Sequence, residues 1–558
     1  MMLGVMAPGD TPALRKARGA FFTPEPLAQY VTDWAVRDVA DKVLEPSCGE
    51  AAFLLSAVRR LGVLRQAASK RTVPHLDGVE LHEASAAEAR SLLRAAGVDA
   101  RVTVGDFFTL EPTGSYDAVV GNPPYVRYQE FAGQDRARSR EAALRAGVCL
   151  TGLASSWAAF TVHAALFLRR GGRMGLVLPA ELLTVNYAAE VRRFLMERFA
   201  RVDLVLFEER VFPEVQEEVV LLLAEGYDEG PTDHCRVFQV QNVEGLAEVV
   251  TPRLWKPATP AAKWTASLVL PDVEALLSGS FSHGTAVVPL ESWGDVTLGM
   301  VTGANDYFAL SPEDVVAAGL KPRDLIRISP PGSAHLRGLD LTPSALGHLG
   351  RKGAATYLFR PKGKPSPGGL AFIAEGKRRG LHERYKCRVR KEWWRIPLVP
   401  PADLFFTYMN ADVVRLSANR AAVHHLNSVH GVYLKAECRG LGMDLLPIAT
   451  LNSLTLLGAE TYGRAYGGGM LKMEPKEADR LPVPSPTLLT TARDRLTALR
   501  PDIRRLLQTG RLFEAVRLVD HALLVEAAGL SEDQVASLRT SHADLMARRL
   551  ARGATPEA

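Results

Sequence analysis

Tyr116-Asp117-Ala118-Val119-Val120-Gly121-Asn122-Pro123-Pro124-Tyr125 runs from an apolar β-like segment straight into two consecutive prolines. Each proline locks φ and restricts the residue before it, so this peptide is stiff and holds its polar groups at fixed places. On both sides of it short β-rich runs alternate with helix-like segments. The runs are Lys42 to Glu45, Leu76 to Leu81, Arg101 to Val104, Tyr116 to Val120, Arg173 to Leu178, Val202 to Phe207 and Val219 to Ala224. That rhythm predicts an α/β fold with an open, doubly wound, mostly parallel sheet of about seven strands. In such sheets ligands bind beyond the carboxyl ends of the strands, which puts Asn122 to Tyr125 at the edge of a site. Ahead of the sheet, Leu27, Tyr30, Val31 and Trp34 recur at helical spacing behind Thr23-Pro24-Glu25-Pro26, the pattern of a capped amphipathic helix.

The chain has 558 residues, of which 47% are hydrophobic. Single cores rarely grow beyond roughly 250 to 300 residues, so two large domains are expected. Residues 1–230 are read as the first, 231–275 as a connection whose polar start is followed by short strands, 276–487 as a second domain of mixed α+β type, and 488–558 as a helical tail. In that tail Leu496, Leu499, Ile503, Leu506 and Leu507 form one stripe. Charge is uneven: residues 1–230 hold 26 basic and 30 acidic side chains, the remainder 41 and 32. An acidic front and a basic rear suit a catalytic module joined to one that binds a polyanion, although ordinary solvated surface also accounts for so modest an imbalance. The five cysteines form no CxxC pair, so neither a metal site nor a disulfide framework is indicated. No uninterrupted apolar stretch approaches the length of a membrane span, and the expected location is the cytoplasm.

An exocyclic amine on an aromatic ring is a poor nucleophile because its lone pair is delocalised. The Asn122 side-chain oxygen and the Pro123 carbonyl are two acceptors that would hold both amine hydrogens and favour a tetrahedral nitrogen, with Tyr125 offering a face to the base. Attack on a methyl group is then a matter of positioning more than of proton transfer. Taken alone, Pro-Pro-Tyr after a strand is as easily a stiff turn.

The neighbouring segments shift that balance. The sequence resembles the class I S-adenosylmethionine-dependent amino-methyltransferases, and among them the gamma-type adenine-N6 DNA methyltransferases of restriction-modification systems. The resemblance rests on Phe21-Phe22-Thr23-Pro24, Val43-Leu44-Glu45-Pro46-Ser47-Cys48-Gly49, Gly78-Val79-Glu80-Leu81, Gly105-Asp106-Phe107-Phe108 and Asn122-Pro123-Pro124-Tyr125, in the family's order. It implies a Rossmann-like methyltransferase sheet followed by a target recognition domain. Phe22 and Thr23 would touch the cofactor; Glu45, Pro46, Ser47, Cys48 and Gly49 would approach its methionine part. Glu80 and Leu81 would meet the ribose, Asp106 and Phe107 the adenine, Asn122 and Pro123 would border the cofactor as well as the target amine, and Phe160 would line the pocket, though a core position explains Phe160 equally well. Phe212 would pack on the target base opposite Tyr125. Ala51 stands where many relatives carry a second glycine.

The rear half carries 14 Lys and Arg against three Glu between Arg351 and Arg395, interleaved with aromatics. Lys377, Arg378, Arg379, Arg388, Arg390 and Lys391 are expected to position phosphates of double-stranded DNA, with Trp393 and Trp394 beside them. The implied reaction is methyl transfer from S-adenosylmethionine to adenine N6 of a flipped-out base, with a separate restriction endonuclease as a companion. Cytosine-N4 transfer and a non-catalytic DNA-binding subunit of the same fold are the alternatives; the peptide also occurs in smaller enzymes acting on protein glutamine or RNA guanine. A fused nuclease is not expected, because no paired-acid and lysine motif is recognisable.

Overall fold

The computed structural model describes residues 23–67, 75–126, 133–209, 211–212, 218–248, 251–269, 271–277 and 286–553. Internal contacts divide the chain into two compact units, the first reaching Leu268 and the second beginning at Val269.

In the first unit α1 (Glu25–Ala35) precedes β1 (Lys42–Glu45), α2 (Ala52–Ala67), β2 (His75–Glu80), α3 (Glu83–Ala95), β3 (Arg101–Val104) and β4 (Tyr116–Gly121). Then come α4 (Gly133–Leu144), α5 (Ser156–Ala165), β5 (Leu168–Pro179), α6 (Glu181–Thr184), α7 (Ala189–Arg198), β6 (Phe199–Phe207), β7 (Val219–Tyr227), β8 (Cys235–Val240) and β9 (Arg253–Trp255). They form one nine-stranded sheet in the order β3-β2-β1-β4-β5-β7-β6-β8-β9. Strands β1 to β5 run parallel, and β7 is antiparallel to both β5 and β6. Order reverses between β1 and β4, so their carboxyl ends flank the crevice where such sheets bind ligands. The central strands are buried on both faces, as their unbroken Val and Leu runs require.

The sheet has nine strands rather than the seven expected, and residues 231–275 are not merely a connection. β8 pairs with β6 in parallel, and β9 with β8 antiparallel. Their short runs lie among Gly, Pro and charged residues and gain a buried face only through β6, a partner that local periodicity does not reveal. Arg236 on β8 also closes a two-pronged ion pair on the buried Asp203 of β6, at 2.9 and 2.6 Å.

The second unit is mixed α+β, with a four-stranded antiparallel sheet built from Gly294–Leu298, Val429–Leu434, Leu404–Thr407 and Leu416–Ala418. The helical segment after residue 487 belongs to this unit rather than standing apart. Asp520, fully buried, accepts from the Ser453 amide at 2.7 Å, the Ser453 hydroxyl at 2.8 Å and Arg539 Nε at 2.8 Å. Arg549, on the helix Glu532–Gly553, reaches Glu460 and the carbonyls of Ala411, Asp412 and Gly469. Of the predicted stripe, Leu496, Ile503 and Leu506 are buried, while Leu499 and Leu507 are only half-covered.

Cys48, Cys235, Cys387 and Cys438 are buried and Cys149 is exposed. Among the described residues no single helix is long and apolar enough to cross a membrane; the bent pair Arg439–Ala449 and Ser453–Tyr462 matches one only by length and composition.

Candidate active site

Four strand ends converge at the carboxyl edge of the sheet. β1 ends at Glu45, whose buried carboxylate accepts from the Leu54 amide at 3.0 Å and so satisfies an orphan donor in the first turn of α2. Burial holds the Glu45 carboxyl well above its ordinary value, against the opposing pull of the Leu54 and Phe53 amides. The resemblance implies that Glu45 approaches a ligand; in the structure its carboxylate also shapes the turn from beneath. Pro46 and Cys48 are buried too, and Cys48 is tied by its amide to the Val79 carbonyl at 2.9 Å. Burial raises the Cys48 thiol.

Ser47 and Gly49 are half-exposed, and the Gly49 α-carbon faces open space at φ +48°. Ala51 sits at φ +63° without a glycine's freedom, so the turn keeps a left-handed backbone although a methyl group replaces the family's usual hydrogen.

β2 ends at Glu80. Its Oε2 accepts from the Gly49 amide at 3.0 Å and its Oε1 from the His82 amide at 2.9 Å, so one carboxylate stitches the first two turns together. Leu81, next in the chain, is 60% exposed. β3 leads to Asp106, which accepts from the Phe108 amide at 3.0 Å and pairs with Arg138 of α4 at 3.1 Å. Sequence reasoning misses Arg138, which stands in a run of polar helix residues with nothing local to distinguish it.

Phe107 lies 4.9 Å from Phe160 and 5.0 Å from Phe167, ring centre to ring centre, with His163 at 4.8 Å. All four rings are buried, so Phe107 and Phe160 form the floor of this corner rather than its open wall. Burial pushes the His163 imidazole down to about 4, and its Nε2 meets the Phe107 carbonyl at 3.2 Å.

β4 delivers the stiff peptide. The Asn122 amide is gripped at both ends: its Nδ2 donates to the Thr23 hydroxyl at 3.2 Å, and the Tyr125 hydroxyl meets its Oδ1 at 2.7 Å. Thr23 thereby joins the N-terminal segment to the peptide; Phe22 lies outside the described residues. The Tyr125 hydroxyl is also 2.9 Å from the Val177 carbonyl of β5, and the residue is only 8% exposed. The ring is therefore turned inward, contrary to the open face expected, because its hydroxyl finds partners there that bulk water would otherwise supply. Phe212 is likewise buried.

Ser156, the first residue of α5, is a second residue that sequence reasoning misses. Its hydroxyl donates to the Pro124 carbonyl, the Val126 amide donates to that hydroxyl at 2.9 Å, and the Ser156 amide donates to the Val126 carbonyl at 3.0 Å. The Ser155-Ser156 pair ahead of a helical run is an N-terminal helix signal, but nothing in the sequence says which backbone the hydroxyl meets.

In the second unit the basic stretch divides. Lys377, Arg378, Arg379, Arg388 and Lys391 are exposed. Arg378 pairs with Glu375, and Arg379 lies over the Tyr307 ring. Arg390 departs from its expected role: its guanidinium donates to the Val301, Thr302 and Trp393 carbonyls at 2.7, 2.8 and 3.2 Å, pinning the Val301 turn from within. Trp394 is buried beside Phe359, and Trp393 packs on Tyr307 and Phe308, so both tryptophans serve the core.

Known proteins are similar to this chain over most of its length. A sequence model of the N-6 DNA methylases matches residues 10–243, and one of the C-terminal domain of the type II methyltransferase M.Eco57I matches residues 261–524. Type II methyltransferase M.XamI of Xanthomonas campestris pv. amaranthicola is 26% identical over 483 residues, covering 84% of this chain and 85% of its own. M.AccI of Acinetobacter calcoaceticus is 21% identical over 484 residues, with the same shares. Among solved structures, the type IIL restriction-modification enzyme MmeI in complex with DNA shares the fold, with a TM-score of 0.54 at 11% identity over 94% of this chain and 75% of that one. The front of the chain is thus similar to the N-6 DNA methylases and its rear to the M.Eco57I C-terminal domain, and the protein is a DNA methyltransferase of the restriction-modification type.

Proposed function

We propose that this methyltransferase carries a methyl group from S-adenosylmethionine to adenine N6 of a base turned out of double-stranded DNA. One observation supports this reading above the others. Asn122 is held by its amide at both ends, on a peptide stiffened by two prolines, at the carboxyl edge of β4 and beside the turns after β1, β2 and β3.

The residues present fit the cofactor. The open α-carbon of Gly49 admits close approach of a methionine chain, and the remaining acceptor capacity of Glu80 suits ribose hydroxyls. Leu81 offers an apolar flank, and Asp106 an acceptor for the adenine amine. Bound there, S-adenosylmethionine supplies a methyl group activated by its positive sulfur. Asn122 Oδ1 and the Pro123 carbonyl then hold the two hydrogens of the target amine and localise its lone pair toward the methyl carbon. The methylated nitrogen releases one proton to solvent. Tyr125 and Phe212 flank the base; both are covered in the free enzyme, so base entry includes uncovering them.

Removing the Asp106 carboxylate as Asp106→Ala is expected to weaken cofactor binding by roughly 10-fold or more, the worth of a hydrogen bond to a charged group. Calorimetric titration reads this directly, and an unchanged dissociation constant would sink the assignment.

The second unit supplies the DNA contacts. Lys377, Arg388 and Lys391 are exposed, and no carboxylate pairs with them among the described residues. Neutralising all three should flatten the dependence of log affinity on log salt by about 2 to 3, close to one unit per phosphate contact. An unaltered slope would remove them from the interface. The enzyme would act in the cytoplasm, with a separately encoded endonuclease as its companion.

The deciding experiment incubates the protein with isotope-labelled S-adenosylmethionine and unmethylated genomic DNA, followed by nucleoside mass spectrometry. Label in N6-methyladenine is the expected result. Label in N4-methylcytosine would keep the fold and overturn the acceptor, and unlabelled DNA would overturn the reading.

A further inference from the structure

The peptide Asn122 to Val126 is unusual in how little the protein can hold it by. Pro123 and Pro124 carry no amide hydrogen, so the segment's handles are its carbonyls and the amides at its ends. Ser156 takes three of these at once. Its hydroxyl donates to the Pro124 carbonyl and accepts from the Val126 amide at 2.9 Å, and its own amide donates to the Val126 carbonyl at 3.0 Å. Among the described residues no donor meets the Pro123 carbonyl. The serine thus consumes the carbonyl that follows the reacting position and leaves Pro123 as the acceptor that faces the amine.

The clamp is itself anchored. Ser156 is buried at the start of α5, and the next residue, Trp157, is fully buried and donates from Nε1 to Glu181 Oε2 at 3.2 Å and to the Tyr187 hydroxyl at 3.0 Å. Both partners lie just beyond the carboxyl end of β5. The peptide after β4 is therefore tied to the segment after β5 through two consecutive side chains of one helix. The opposite flank is held separately, by Thr23 and by Tyr125 on Val177.

We infer that Ser156 is a positioning residue for methyl transfer: by fixing the Pro124 and Val126 backbone it aims the Pro123 carbonyl and the Asn122 oxygen at the target amine together. The inference rests on the reading of Asn122 and Pro123 as the two acceptors. A displacement of about 1 Å at a reacting centre can cost on the order of 100-fold in rate, and the serine's hydroxyl and amide are spent on the Pro124 and Val126 backbone.

The test compares Ser156→Ala and Ser156→Thr with the unmodified enzyme, measuring kcat, the KM for DNA and calorimetric affinity for S-adenosylmethionine. Ser156→Ala is expected to lower kcat by roughly 10- to 100-fold, with cofactor affinity and KM within about threefold of the parent. Ser156→Thr, which keeps the hydroxyl, is expected to restore kcat to within about threefold. An alanine variant with the parent's kcat would overturn the inference, as would one whose cofactor affinity falls in step with kcat, because that marks a collapsed site. If the alanine variant does not fold, the threonine variant decides: folded, with the cofactor bound and kcat reduced roughly 10-fold or more, it overturns the positioning role. A parent enzyme that transfers no methyl to any DNA fails at the underlying reading, and the two failures are told apart by that control.

Discussion

Replacing Asn122 with alanine is expected to lower the methyl-transfer rate by roughly 100- to 1,000-fold, the usual cost of losing one preorganised polar group that acts on a developing charge. Cofactor affinity should stay within about threefold, since the role assigned to the side chain is to hold the target amine, with Thr23 and Tyr125 among its partners. Single-turnover rates at saturating cofactor measure the first quantity and calorimetric titration the second. Asn122→Asp sharpens the test. A carboxylate keeps the acceptor oxygens but cannot donate to the Thr23 hydroxyl, so an intermediate rate is expected. Loss of cofactor binding in the alanine variant would remove Asn122 from the amine and place it in the cofactor cleft.

The second large effect concerns stability. Arg549 and Glu460 are both nearly inaccessible, and the guanidinium reaches the carboxylate with Nε at 2.9 Å and Nη2 at 2.8 Å. It also donates to the Asp412 carbonyl at 2.8 Å and to those of Ala411 and Gly469. Breaking such a pair strips the buried Glu460 carboxylate of its guanidinium, so Arg549→Met should destabilise the second unit by about 3 to 5 kcal/mol. In thermal unfolding the corresponding transition should fall by about 10 °C, while the first unit's transition stays in place. Arg549→Met combined with Glu460→Leu should recover much of the loss, because it removes the buried carboxylate as well as its partner. If the double variant is as unstable as the single one, the carbonyl contacts rather than the ion pair hold the helix.

Much of the first unit is legible in the sequence because its elements are written locally. The apolar run Ala118-Val119-Val120 by itself marks a buried strand, and the glycines and acids after β1, β2 and β3 mark the cleft by their order. Features that depend on a distant partner are not written this way. β8 needs β6, and Glu45 needs the first turn of α2 before its carboxylate finds the Leu54 amide. Ser156 needs the Pro124 carbonyl. Charge misleads in the same manner. Arg390 stands in a basic run just where a phosphate contact would be sought, yet three carbonyls claim its donors once the Val301 turn folds against it. Trp393 and Trp394 sit among cations for packing, because the second unit needs their area to close a core around Tyr307 and Phe359. Tyr125 shows the limit most clearly: the motif names the residue, but its hydroxyl's reach to Val177 decides which way the ring faces.

The distribution of thiols has a practical side. Burial raises the Cys48, Cys235, Cys387 and Cys438 thiols, and each is shut away from reagents as well as disfavoured as a thiolate. Cys149 alone is exposed, in the connection between α4 and α5 that leads to Ser156. A maleimide dye offered to the folded protein thus has a single address, with no cysteine to be engineered in or out. A fluorophore attached there sits a few residues ahead of the helix that grips the Asn122 to Val126 peptide, so the native chain already carries its own reporter position for that segment.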